Sequence, residues 1–257
     1  MLNEAGLFGP IDKVNEAITF LRELEPDEGY WLAFSGGKDS IVIYELAKIA
    51  DVKFEAHYNF TTIDPPELVK FIRDNYPDVI IDRPKKSFFQ LVESKGFPTR
   101  QCRWCCEVLK ERGGNGRKTI TGIRKQESIK RSKRRMVEIC YKGTGKIYIN
   151  PIMEWSSDDV WDFIWIRNIK YCSLYDQGWE RIGCLFCPMA NKRHRMREMQ
   201  LYPKFVKAFI SAFEKRLVHA REKNLGIAKR FKNGEELFNF WINERPSEDA
   251  DQTVMFE

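Results

Sequence analysis

A short apolar run, Tyr30-Trp31-Leu32-Ala33-Phe34, stops at Ser-Gly-Gly-Lys-Asp-Ser (35–40), and the helical segment IVIYELAKIA (41–50) follows at once. A buried strand feeding a helix through a glycine turn is the unit from which parallel sheets are built. The alternation continues along the chain. FEAHYNF (54–60) reads as a second strand, Pro65 and Pro66 open a helix to about Tyr76, and Val79-Ile80-Ile81 reads as a third strand. Ser87 to Ser94 reads as a helix, and KTITGI (118–123) as another strand. The expected fold is α/β, a doubly wound and mostly parallel sheet. Residues 1–26 read as a helix, because Ile11, Val14, Ala17, Ile18, Leu21 and Leu24 fall at helical spacing and Pro26 closes the segment. From Trp155 onward the chain reads as mostly helical, with Ser156 or Ser157 as the cap of its first helix. Trp155, Trp161, Phe163 and Trp165 in that stretch read as packing residues.

Composition excludes several classes. The 257 residues carry 43 Lys+Arg against 37 Asp+Glu, a net charge of +6, with 43% hydrophobic and 31% charged residues. That is a soluble globular profile. No run of about 18 uncharged apolar residues exists, so no membrane partner is expected. The start lacks a basic segment with an apolar one behind it, so a cytoplasmic location is expected. Seven cysteines are an odd number, and five fall in two tight clusters. Metal or redox chemistry is favoured over a disulfide framework. With only three histidines, a metal site would lean on sulfur.

The turn at 35–40 suits an anion. Gly36 and Gly37 permit backbone geometry that a β-carbon would obstruct. Successive N–H groups and a helix N-terminus then face one space. Ser35 and Ser40 can add hydrogen bonds, and Lys38 a positive charge. The spacing is neither a Walker A loop nor a G-x-G-x-x-G fingerprint. A Gly-rich turn without a ligand is the competing reading.

The cysteine clusters are Cys102-x-x-Cys105-Cys106 and Cys184-x-x-Cys187-Pro188. Four thiolates suit zinc or an iron–sulfur cluster. Zinc would most naturally take the two C-x-x-C knuckles, Cys102/Cys105 with Cys184/Cys187, although their interval far exceeds that of common zinc modules. Cys140 and Cys172 have apolar or aromatic neighbours and read as core. The segment RKQESIKRSKRR (124–135) and the run KRHRMR (192–197) concentrate the basic excess. A charge run is usually a solvated face. The alternative is recognition of a polyanion such as tRNA or DNA.

SGGKDS also resembles the pyrophosphate-binding loop (PP-loop) of the adenine nucleotide alpha-hydrolase-like superfamily. That superfamily includes ATP pyrophosphatases, tRNA-thiolating enzymes and the sulfonucleotide (APS and PAPS) reductases. TGIRKQESIKRS (121–132) resembles the reductases' Gly-Ile-Arg-Arg-x-x-Ser segment. NPIMEWSSDDVWDFI (150–164) and YCSLYDQGWERIGCLFCP (171–188) resemble two further segments of the same reductases. Four motifs in order, from about Tyr30 to Pro188, identify the chain as similar to the PAPS/APS reductase family, iron–sulfur type. The resemblance implies an adenine nucleotide, ATP or APS/PAPS, over Ser35, Gly36, Gly37, Lys38, Asp39 and Ser40. It also implies Mg²⁺ on the phosphates, with Gly122, Arg124, Ser128 and Arg131 bordering the nucleotide. Cys105-Cys106 with Cys184 and Cys187 looks like the family's [4Fe–4S] motif, with zinc the alternative, which leaves Cys102 spare.

The implied organisation is an N-terminal helix (1–26), a PP-loop nucleotide-binding α/β domain (27–150), a helical region with the second cysteine pair (151–246) and a flexible tail (247–257). Two features depart from the family pattern. No cysteine follows Cys187, where the reductases carry a C-terminal Glu-Cys-Gly-x-His nucleophile motif. Phe60-Thr61-Thr62 stands where the family usually has Asp-Thr-Gly. The leading expectation is ATP-dependent adenylation and sulfur transfer to an acceptor, a nucleic acid such as tRNA or DNA, with a sulfur-donor or reductant protein as partner. Lys38, Asp39 and Cys102 are its candidate catalytic residues. The alternatives are sulfonucleotide reduction releasing sulfite, and a non-catalytic nucleotide-sensing iron–sulfur module.

Overall fold

The structure, a computed structural model, describes residues 2–6 and 9–243. The expected tail 247–257 lies outside the described residues. At the N-terminus, β1 (Asn3–Gly6) pairs antiparallel with β2 (Gly9–Asp12). The expected helix over 1–26 is therefore confined to α1 (Lys13–Glu23). Gly6, Gly9 and Pro10 disfavour helix before that point. Asp12 starts it, since its carboxylate accepts the Val14 and Asn15 N–H groups.

Next come β3 (Tyr30–Phe34), α2 (Lys38–Ile49), β4 (Phe54–Asn59), α3 (Pro66–Asn75), β5 (Ile80–Asp82) and α4 (Phe88–Lys95). All lie within a few residues of the sequence expectation. Ser87 starts α4 with a reciprocal capping box to Gln90. After β6 (Lys118–Ile120) and the short α5 (Ile129–Ser132), the chain forms β7 (Val137–Ile139) and β8 (Ile147–Ile149), which the sequence reading did not anticipate. Then α6 (Ser157–Ile166) begins at Ser156, again with a capping box. No helix is assigned from 167 to 191, so the expected helical third is interrupted. It resumes with α7 (Lys192–Leu201), α8 (Pro203–Glu222), α9 (Ile227–Arg230) and α10 (Gly234–Asn243). Among the described residues no helix is long and apolar enough to cross a membrane.

The described chain divides into two compact units. One comprises residues up to Asn59, Pro66–Asp82 and Gly113–Ile182; the other comprises Phe60–Pro65, Arg83–Arg112 and Gly183 onward. The first unit holds a six-stranded sheet in the order β5-β4-β3-β6-β8-β7. Every neighbouring pair is parallel except β7 with β8. From β3 the sheet grows one way to β4 and the other way to β6. That reversal lies at the carboxyl end of β3, the position at which open α/β sheets bind ligands. Leu32, Phe34, Ile41, Ile43 and Leu46 bury the β3–α2 junction beneath it. The second unit is a helical cluster in which α8 packs on α4 and α10. Phe88, Phe209, Phe213, Phe238 and Trp241 form its core, and the Trp241 indole donates to the Pro98 carbonyl at 2.6 Å.

Candidate functional site

In the first unit, β3 ends at Phe34 and α2 begins at Lys38, so residues 35–37 form the turn at the sheet's reversal point. Gly36 has φ +71°, and a Cβ there would stand 2.8 Å from the Leu68 and Ile72 side chains. Glycine meets both demands. The Ser40 hydroxyl accepts the Ser35 N–H at 3.1 Å and donates to the Gly37 carbonyl at 2.8 Å. The two serines therefore brace the turn. Gly122 lets the chain after β6 approach α2, since a Cβ would sit 3.0 Å from the Asp39 backbone. Arg124, 3% exposed, donates through Nε to Asp39 at 2.6 Å and through a terminal nitrogen to the Trp155 carbonyl at 3.3 Å. The buried guanidinium is thus fixed at the N-terminus of α2, and Asp39 is committed to holding it.

Lys38 is buried as well. Its ammonium donates to the Glu180 carbonyl at 3.2 Å, and its backbone N–H donates to the Tyr175 hydroxyl at 2.8 Å. The sequence reading gave Tyr175 and Glu180 no role, although both lie in the quoted segment 171–188. Ser128 and Arg131 are engaged elsewhere. Ser128 caps α5 by accepting the Arg131 N–H, and Arg131 pairs with Glu127. The basic segment keeps Ile129, Lys130, Lys133 and Arg135 exposed. Trp155 and Phe163 are buried as expected, but Trp165 is 62% exposed and stacks on Trp161 at the helix surface. It sits in the last turn of α6, on the face turned to solvent.

In the second unit, Cys105, Cys106, Cys184 and Cys187 line one small cavity of about 30 Å³, together with Thr61 and Lys110. Cys102 is exposed and is not on that lining. Three chain segments meet here. Cys105 precedes a π-helical turn, Cys106–Lys110. The Leu185 N–H donates to the Ile63 carbonyl at 2.8 Å, and the Phe186 N–H to the buried Glu198 carboxylate at 2.8 Å. Cys184 donates to the Thr61 hydroxyl at 3.3 Å. Burial pushes the Cys184 thiol up to about 12. A hydrogen bond from Cys105 lowers the Cys106 thiol below its ordinary value, and the cations of Lys110 and Arg103 act in the same direction. The same bond holds Cys105 protonated. As the side chains stand, no three His, Cys, Asp or Glu groups among the described residues are arranged to hold a metal ion. What fits a soft metal is the donor set, four thiols on one lining. Cys140 and Cys172 are buried.

A family model described as the phosphoadenosine phosphosulfate reductase domain matches residues 29–190. An uncharacterised protein of Methanocaldococcus jannaschii is 32% identical over 193 residues, 71% of this chain and 47% of that protein. The chain thus spans about half the length of the uncharacterised relatives it matches. An adenosine 5'-phosphosulfate reductase of Oceanobacillus iheyensis is 28% identical over 171 residues, 60% of this chain and 69% of that enzyme. The phosphate complex of the phosphoadenylyl-sulfate reductase from Candida auris has a TM-score of 0.50 at 19% identity, covering 66% of this chain and 88% of that one. That likeness concerns the fold alone.

Proposed function

The chain belongs to the phosphoadenosine phosphosulfate reductase domain family, and on that premise we propose that it is an ATP-dependent sulfur-transfer enzyme. The observation that carries this reading is the turn at the sheet's reversal point, where two buried cations, Lys38 and Arg124, flank a helix N-terminus. Backbone N–H groups of residues 35–40 and the Lys38 ammonium would bind the β- and γ-phosphates. Arg124, positioned by Asp39, would face the charge that develops on the α-phosphate. Mg²⁺ would travel on the nucleotide, because the loop's carboxylate is committed to Arg124. An acceptor carbonyl oxygen attacks the α-phosphorus, the α–β bond breaks, and pyrophosphate leaves. Hydrosulfide from a donor then attacks the activated carbon. The C–O bond breaks, AMP departs with the oxygen, and a proton is released. No electrons are exchanged.

Cys105, Cys106, Cys184 and Cys187 would hold a [4Fe–4S] cluster, with zinc the other soft-metal candidate. When bound, such a centre supplies positive charge that stabilises thiolate or sulfide sulfur. The exposed cations Lys130, Lys133 and Arg135 suit a polyanionic acceptor, tRNA or DNA. A second reading, sulfonucleotide reduction with Cys102 as nucleophile, draws on the family match and on the exposure of that thiol. The test is to assay the anaerobically purified protein with ATP, APS and PAPS side by side. Pyrophosphate release from ATP, stimulated by RNA or DNA, is expected. Sulfite release from APS or PAPS with a thiol reductant, abolished by Cys102→Ser, would establish the second reading instead. Tight nucleotide binding with neither activity would leave a nucleotide sensor.

A further inference from the structure

Two donors of the anion-binding turn are already occupied by oxygens of the chain itself. The Lys38 N–H, first of the free donors of α2, meets the Tyr175 hydroxyl at 2.8 Å. The Lys38 ammonium meets the Glu180 carbonyl at 3.2 Å and lies 5.8 Å from the centre of the Tyr175 ring. The hydroxyl also covers Gly37, where an added Cβ would come within 3.4 Å of it. A helix-terminal N–H and a lysine ammonium are the groups that take phosphate oxygens. Here both are satisfied from one stretch, residues 175–180.

The backbone of that stretch is firmly held. Cys172, Leu174 and Trp179 are buried, and the Trp179 N–H donates to the Leu174 carbonyl at 3.2 Å. Tyr175 itself is partly exposed and meets Trp161 edge-on at 5.1 Å. It also meets Tyr171 edge-on at 6.4 Å, so release of the hydroxyl requires the ring to turn against Trp161 and Tyr171 while the backbone of 172–179 stays in place.

We propose that Tyr175 is a latch on the turn, its hydroxyl holding the N-terminus of α2 until a phosphate oxygen displaces it. The inference rests on the reading of residues 35–40 as an anion site. It makes Tyr175 a residue that sets nucleotide affinity by competition. A ligand must exchange an existing hydrogen bond for its own, so the latch weakens binding by the strength of one neutral bond. It also keeps the turn formed when no nucleotide is present, since the buried N–H is never left without an acceptor.

The test is calorimetric titration of the whole protein with inorganic pyrophosphate and with ATP, comparing wild type, Tyr175→Phe and Lys38→Ala. Phenylalanine retains the ring and its packing and deletes only the competing oxygen. Tyr175→Phe is expected to lower Kd by roughly two- to ten-fold for both anions, the scale of one neutral hydrogen bond. Lys38→Ala is expected to raise it. Trp161 emission should change on anion addition in the wild type, and Trp161→Phe should abolish that signal while binding persists. An unchanged Kd in Tyr175→Phe, with wild-type binding intact, would overturn the latch. A raised Kd would overturn it too, because the hydroxyl would then be a donor to the ligand or a purely structural group. Failure of both wild type and Tyr175→Phe to bind either anion would instead remove the anion-site reading itself.

Discussion

The two candidate sites are built by opposite means. The candidate anion-binding turn is six consecutive residues, shaped mainly by Gly36, by the braces between Ser35 and Ser40, and by the start of α2. The thiol cavity is assembled from three segments far apart in sequence, around Thr61, Cys105–Lys110 and Cys184–Cys187. One presents backbone N–H groups. The other presents side chains from segments joined by a few hydrogen bonds, such as Cys184 to Thr61 and Leu185 to Ile63. A contiguous backbone site changes gradually under substitution, whereas an assembled donor set fails when one donor is lost.

The largest effect therefore belongs to the thiols. Cys184→Ser and Cys106→Ser are each expected to abolish most bound iron and sulfide, or zinc, in anaerobically purified protein, while Cys102→Ser retains it. Metal analysis and visible absorption measure this. Full metal in Cys184→Ser with loss in Cys102→Ser would replace the ligand set. In metal-free protein the same cavity should show two reactivities. The hydrogen bond from Cys105 lowers the Cys106 thiol, and burial raises that of Cys184. The thiolate is the nucleophile, so Cys106 should alkylate at lower pH than Cys184. Mass-mapped iodoacetamide labelling against pH decides it. Equal rates would mean that the two thiols share one environment.

This contrast also explains what could be read in advance. β3, the turn and α2 were legible because their signals are local: an apolar run, paired glycines and a helical segment that follows at once. The parallel sheet followed from repetition of that unit. β7 was not legible, because Val137 and Ile139 are exposed and leave no burial pattern to detect, and β8 was passed over although Ile149 is fully buried. The Cys105-Cys106 pair was singled out by resemblance. Nothing local in Thr61 or Ile63 indicates that they stand beside Cys184. Tyr175 lay within a recognised segment, but its hydrogen bond to residue 38 spans 137 positions, beyond the reach of any periodicity.

The first unit also depends on a long-range ion pair away from the turn. Lys13 on α1 donates to Asp159 on α6 at 2.6 Å, and that carboxylate is 1% exposed. Lys13→Ala removes the buried cation that offsets the Asp159 charge and is expected to cost about 3 kcal/mol in urea denaturation. Burial alone would raise the Asp159 carboxyl, but hydrogen bonds from Lys13 and the Ser156 backbone hold it well below its usual range. A depressed carboxyl contributes stability that is complete above its unfolded value, about 3.9, and is lost as pH falls through the folded value. The difference between wild type and Asp159→Asn should shrink below about pH 4. A constant difference would place the effect in packing. Lys38→Ala, at the turn itself, should weaken ATP binding by about 1.5–3 kcal/mol, the scale of a charged hydrogen bond. A negligible change would count against the turn as the phosphate site.

The smallest expected effect compares how the two units use a left-handed residue. The turn places glycine there, at Gly36. The thiol unit places Thr62, with φ +70°. A β-branched residue in that region bears a strain of roughly 1–2 kcal/mol. Thr62 is kept there by its hydroxyl, which accepts the Phe88 N–H at 2.9 Å, a donor at the start of α4 with no partner inside the helix. Asparagine tolerates the same backbone and also carries an acceptor. Thr62→Asn should therefore stabilise the protein by about 0.5–1 kcal/mol, while Thr62→Ala, which keeps part of the strain and loses the acceptor, should destabilise it by about 1 kcal/mol. Gly36→Ala should destabilise as well, because there the space and the backbone both demand glycine. If Thr62→Asn proves destabilising, the hydroxyl is needed in its present position, and this unit too is fixed by a local constraint.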